Sequence, residues 1–147
     1  MTDTLPPLAL PWPDRILHPN ARPDRWRKAR AAKAYRQECK LLAMNWLAKA
    51  SVADRAAIVA VLATPGKLVL DLTFHPPSHH RRDDDGCPAA FKSGRDGLAD
   101  ALRIDDSRFA TRFRLEPWDR DGAHPFATTM FRPRYGWVAV RIGEVLP

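Results

Sequence analysis

Cysteine is scarce in this sequence. Only Cys39 and Cys87 occur in 147 residues, too few to staple a domain of this size with a disulfide framework. They read as reduced, intracellular thiols, with Cys39 on a buried helix face. They form no CxxC, which argues against a zinc knuckle. Long apolar runs are missing too, so no segment reads as a bilayer span. The opening MTDTLPPLALPWPDR lacks the basic start and apolar stretch of a signal peptide. A soluble cytoplasmic protein with no membrane partner is the expectation. There is no glycine-rich phosphate cradle and no serine-nucleophile elbow. Acids are outnumbered: 17 Asp and Glu face 24 Lys and Arg, a formal charge of +7. Such a balance suits an anionic partner, nucleic acid first and an acidic membrane surface second.

What is present suits one folded domain spanning residues 1–147. Hydrophobic residues make up 45% of the chain, which argues against disorder, and the length matches a single core. No internal repeat and no second domain is visible. LALPWP, from Leu8 to Pro13, reads as an edge strand and a turn. DRILHPNARPDRWRK is a basic loop with His18, Asn20, Arg22, Arg25 and Trp26. From Trp26 to Ala50 the spacing of Tyr35, Cys39, Leu42 and Trp46 predicts a helix. Ser51 with Asp54 resembles a capping pair for a second helix, Val52 to Ala63, ended by Pro65 and Gly66. KLVLDLTFH alternates as a strand from Lys67 to His75, with Leu68, Leu70, Leu72 and Phe74 on one face. Pro88 suits the first turn of a helix running to Leu102, with Ala90, Phe91, Leu98 and Leu102 as its apolar stripe. Phe109 to Trp118 and Tyr135 to Val145 read as two further strands, joined by a loop expected to be mobile. The order β-α-(α)-β-α-β-β predicts an α+β domain, a small mixed β-sheet packed with helices.

The acids are not spread evenly. RRDDDGCPAAFKSGRDGLADALRIDDSRF runs from Arg81 to Phe109 and holds Asp83, Asp84 and Asp85 before the helix, Asp105 and Asp106 after it. In extended chain Asp83 and Asp85 face one side, and a helix folded back on the sheet can bring the two groups together. Carboxylates gathered at one point need a cation, and hard oxygen ligands suit Mg²⁺ or Mn²⁺. Such an ion activates water for phosphate chemistry. Arg81, Arg82 and Lys92 add the positive charge that a phosphate needs, though surface ion pairs serve equally as ordinary solvated charge. His75, His79 and His80 nearby leave a zinc site or a histidine base as a competing reading.

RDDDG, a short gap and KSGRDGLADALRIDDSRF together resemble the core of RusA-type endodeoxyribonucleases, the Holliday junction resolvases common in prophages. LPWP, the helix with AYR, HPP before the acids and GWVAVRI near the end fit the same pattern, so the resemblance runs from Leu8 to Ile142. It implies a Mg²⁺-dependent endodeoxyribonuclease acting on branched DNA, four-way junctions above all, with Mn²⁺ as a substitute ion. It implies metal ligands at Asp83, Asp85 and Asp106, with Asp105 the understudy for the last, and a catalytic lysine at Lys92. Asp96 looks structural. Arg81, Arg82, Arg22, Arg25 and Arg27 would hold DNA by its phosphates. The resemblance also implies a homodimer, whose two-fold axis suits paired cuts in a nearly two-fold junction. One departure stands out: the family places Asn after the second acid, and here Gly86 stands there. That substitution supports a rival, a branched-DNA-binding protein without cleavage. Val52 to Thr64 reads as an insertion relative to shorter members. An RNA-binding protein would need exposed aromatic platforms; Trp26, Trp118 and Trp137 are candidates, with Trp137 better suited to the core.

Overall fold

The computed structural model describes residues 7–79, 86–119 and 136–146. Asp83, Asp85, Arg81, Arg82 and His80 lie outside these residues, as do Tyr135 and most of the loop expected to be mobile. The observed order is β1 (Leu8–Pro11), a 3₁₀ turn (Arg15–Leu17), α1 (Arg25–Lys49), α2 (Val52–Ala63), β2 (Lys67–His75), α3 (Gly86–Ala90), α4 (Lys92–Leu102), a second 3₁₀ turn (Asp106–Arg108), β3 (Phe109–Leu115) and β4 (Trp137–Leu146). This is the α+β arrangement expected.

The sheet runs β1-β4-β2-β3. β4 is antiparallel to β1 and β2, and β2 pairs in parallel with β3. A parallel pair needs a long crossover, here residues 76–108 with α3 and α4. Because Leu68 pairs with Phe109, the crossover delivers Asp105 and Asp106 to the end of the sheet where β2 begins. β2 behaves as its alternation requires. Leu68, Leu70, Leu72 and Phe74 are buried, while Asp71, Thr73 and His75 are half-exposed on the other face. Val138 and Val140 of β4 join the buried set.

α1 buries Tyr35, Cys39 and Ala43, four residues apart, as a helical stripe must be. Leu42 and Trp46 are only partly buried, because that stripe runs beside them. The Tyr35 hydroxyl donates to the Pro11 carbonyl at 2.6 Å, which pins α1 to the edge strand. α2 starts as its cap predicts, with Ser51 Oγ accepting from the Asp54 N–H at 3.0 Å. At its C-terminal end Thr64 donates to the Ala60 and Val61 carbonyls, and the Arg108 guanidinium donates to the carbonyls of Leu62, Thr64 and Gly66.

Three expectations need correction. The helix expected from Pro88 to Leu102 is two helices, joined at Phe91. There φ −83° and ψ −3° open the helical path, and the ring packs edge-on against Phe74 and Tyr35. β3 stops at Leu115 rather than Trp118: Glu116 still donates to the Phe74 carbonyl, but Pro117 has no N–H to offer. Trp137 is not a core residue. Its neighbour Val138 takes the inward position, so Trp137 turns to the far face and stacks on His75 with centroids 4.2 Å apart.

Candidate active-site cleft

α4 is held against α1 by a close crossing. A Cβ on Gly97 would sit 2.3 Å from the Arg36 carbonyl oxygen and 3.1 Å from the Lys40 nitrogen. Only a residue without a side chain lets the two backbones meet there. The crossing sets Arg36 of α1 beside Asp100 of α4, in a bidentate pair at 2.7 and 2.9 Å. The hydrogen bonds from Arg36 hold the Asp100 carboxyl below its usual range, and Asp100 in turn raises the guanidinium.

Along this side of α4 runs an open cleft of about 330 Å³ lined by Arg36, Lys92, Asp96, Asp100, Asp105 and Asp106, among others. The acids differ in how far they are already engaged. Asp96 lies 3.5 Å from the Lys92 ammonium, one helical turn away. Asp100 is taken by Arg36. Asp105 is the N-cap of the second 3₁₀ turn and accepts from the Ser107 N–H at 2.9 Å. That backbone bond, with the Ser107 side chain and the adjoining Asp106 carboxyl, keeps Asp105 below the usual carboxylate range. Asp106 accepts no capping N–H among the described residues; its carboxyl meets that of Asp105 beside it.

Sequence reasoning missed what holds Asp106. Arg95 reaches back across α4 and donates to the carbonyls of Asp106 at 2.7 Å and Phe109 at 3.3 Å, with its guanidinium 5.9 Å from the Phe109 ring centre. Its Nε is buried and has no hydrogen-bond partner among the described residues. Lys67 donates to the Ser107 carbonyl. The acidic turn is thus anchored through its backbone, which leaves the carboxylates outside these bonds. Arg36 and Asp100 were also missed as a pair. The spacing of Asp96 and Asp100, one helical turn apart, was the available signal.

The structure brings Lys92, Asp105 and Asp106 into one cleft. Lys92 is 74% exposed at its side chain, so its ammonium is open to a ligand. Arg22, Arg25 and Arg27 stand away from the cleft lining, before and at the start of α1, where Asp24 accepts from the Arg27 N–H. His75 and His79 do not line it either; they face Trp137 and Trp118. Among the described residues no three His, Cys, Asp or Glu side chains converge as metal ligands. The cleft's donors are nonetheless hard oxygens of the kind Mg²⁺ takes, and Asp83 and Asp85 precede α3 in the sequence.

Gly86 has a steric reason. A Cβ there would lie 2.1 Å from Nε2 of His18, so Asn or any other side chain requires the imidazole to move. His18 Nδ1 accepts from the Asn20 N–H at 3.2 Å, which places the proton of the neutral ring on Nε2, the atom facing Gly86.

No family model matches the chain. It is 40% identical over 111 residues to an uncharacterized protein of Xylella fastidiosa, a match covering 74% of this chain and 65% of the relative. The chain therefore spans less than two thirds of that relative's length.

Proposed function

We propose that this protein is a divalent-metal-dependent, structure-selective endodeoxyribonuclease that cuts branched DNA, four-way junctions among them, as a homodimer of the RusA type. The observation that carries this reading is the cleft along α4, where Lys92 lies with Asp105 and Asp106 on an otherwise basic molecule. The reaction is phosphodiester hydrolysis. A water oxygen bonds to phosphorus, one bridging P–O bond breaks, and the products are a phosphate monoester end and a hydroxyl end.

Asp106 would hold Mg²⁺ together with Asp83 and Asp85, and Mn²⁺ would fit the same donors. The bound ion would lower the pKa of water and offset phosphate charge. The Lys92 ammonium would stabilise the charge that builds on the non-bridging oxygens. Arg81, Arg82, Arg22, Arg25 and Arg27 would contact phosphates outside the reacting centre. A cytoplasmic setting fits two buried thiols, Cys39 and Cys87.

The rival reading, a branched-DNA-binding protein that does not cut, draws on Gly86 in the position of the expected Asn. Junction cleavage with and without EDTA separates the two. The nuclease cuts in Mg²⁺ and stops in EDTA; a binder cuts in neither. Asp106→Asn should abolish cutting and keep junction binding. Asp105→Asn should keep the turn, since Asn caps as well as Asp, and should cost far less activity. Lys92→Ala should slow single-turnover cutting roughly a hundredfold, with the melting temperature unchanged, because an exposed pair four residues apart contributes only about half a kcal/mol. Wild-type rates in both Asp106→Asn and Lys92→Ala would remove the cleft from the chemistry.

A further inference from the structure

The positive charge of this protein is concentrated in one element. α1 contains Arg25, Arg27, Lys28, Arg30, Lys33, Arg36, Lys40 and Lys49 and a single acid, Glu38. Eight of the 24 cations and one of the 17 acids thus lie in α1, so sixteen of each remain outside it. The whole formal charge of +7 equals the charge of this helix. A chain that is basic by general composition would spread its excess; this one is neutral apart from α1.

We propose that the exposed flank of α1 is a track for the sugar-phosphate backbone of double-helical DNA, leading into the cleft along α4. Lys33, Arg36 and Lys40 stand three and four residues apart, and Arg25 eight before Lys33, spacings that keep them on one side. From Arg25 to Lys40 the flank is about 22 Å long at 1.5 Å per residue, roughly six base-pair steps of duplex. Arg36 joins the track to the cleft, since it binds Asp100 and lines the same space. Arg25, Arg30 and Lys33 are exposed and in no ion pair among the described residues. Their charge is available to phosphate.

The same charge would attract an acidic membrane surface, but the face is wrong for one. A helix lying in a bilayer interface needs a continuous apolar side. Here Trp26 is exposed at one end and Leu41 and Met44 toward the other, with Arg30, Lys33 and Lys40 between. Phosphate contacts position a duplex without reading its bases, so the track contributes affinity and orientation for any sequence. Its role in feeding the cleft rests on the nuclease reading; its binding of DNA does not.

The test is binding of the full chain to a four-way junction and to a linear duplex in EDTA, titrated with salt. The triple variant Arg30→Gln, Lys33→Gln, Lys40→Gln should fold normally, because Gln suits a helix. Its slope of log affinity against log salt should be shallower by about 2 to 3, and its affinity near 0.1 M salt lower by on the order of a hundredfold. Lys33→Gln alone, at an exposed position, should lower the slope by about 1. The control Arg112→Gln, Arg114→Gln, Arg141→Gln removes the same charge from the sheet face and should leave the slope nearly unchanged. Equal losses in the two triples, or none in the α1 triple, would overturn the track. So would wild-type protein that floats with phosphatidylserine vesicles and ignores duplex. Wild-type protein that binds through α1 yet never cuts in Mg²⁺ would sink the nuclease reading and leave the track standing. Normal cutting and binding in the α1 triple would sink the track alone.

Discussion

Asp106 is useful only if its carboxylate is held in place, and Arg95 is the side chain that holds its backbone. A guanidinium donating to two carbonyls forms charge-assisted hydrogen bonds, each worth about 1.5–3 kcal/mol net. The buried, unpartnered Nε offsets part of that gain. Arg95→Met keeps the apolar contact with Phe109 and removes both bonds. It should destabilise the protein by about 2 kcal/mol in urea unfolding and, on the nuclease reading proposed above, should raise the Mg²⁺ concentration needed for half-maximal cutting. An unchanged urea midpoint would mean that the contact to Asp106 contributes nothing. Neither Arg95 nor its role was legible in the sequence, because it acts on backbone carbonyls whose positions depend on the whole crossover. Lys92, Asp105 and Asp106 were singled out by residue type, spacing and the family resemblance together, and what the structure adds is that they line one cleft.

At the scale of elements, the crossing of α1 and α4 decides whether the cleft exists. Gly97→Ala sets two effects against each other. Ala gains up to about 1 kcal/mol of helix propensity over Gly. Against that, a Cβ 2.3 Å from the Arg36 carbonyl oxygen must push backbone from backbone, and overpacking of this kind costs about 1–3 kcal/mol. The clash should win by about 1 kcal/mol, lowering the melting temperature by about 2–4 °C in calorimetry; an equal or higher melting temperature would show that the helices separate freely. Most elements could be read from local pattern: the alternation of β2, the Ser51 cap of α2, the length of α1. Two could not. β4 offers apolar residues at both parities, Trp137 and Ala139 against Val138 and Val140, so the choice of inward face was open until β1 and β2 paired with it. The break at Phe91 has no glycine or proline at the joint, and AAFK reads as continuous helix. Packing of the Phe91 ring against Tyr35 and Phe74 fixes it, and those partners are remote in the chain.

For the molecule as a whole, the core is one cluster running from β1 through α1 and the sheet to α4. Elements that share a core this small should unfold together. Cys39 reports on that cooperativity from the centre. It has no exposed surface, and burial pushes its thiol up to about 12, so the thiolate that reacts is nearly absent at neutral pH. A thiol reagent can reach it only when the core opens. In a Cys87→Ala background, Cys39 labelling should be slow in native buffer. Its logarithm should rise with urea along the same slope as global unfolding measured by fluorescence. A flat labelling rate at low urea would mean that α1 lifts off by itself, as a helix bearing eight cations has electrostatic reason to do. That outcome would make α1 a separate unit, and its docking against α4 would then depend on whatever anion neutralises it. A single slope means that the Arg36–Asp100 pair and the Gly97 crossing hold the charged helix in the core without such help.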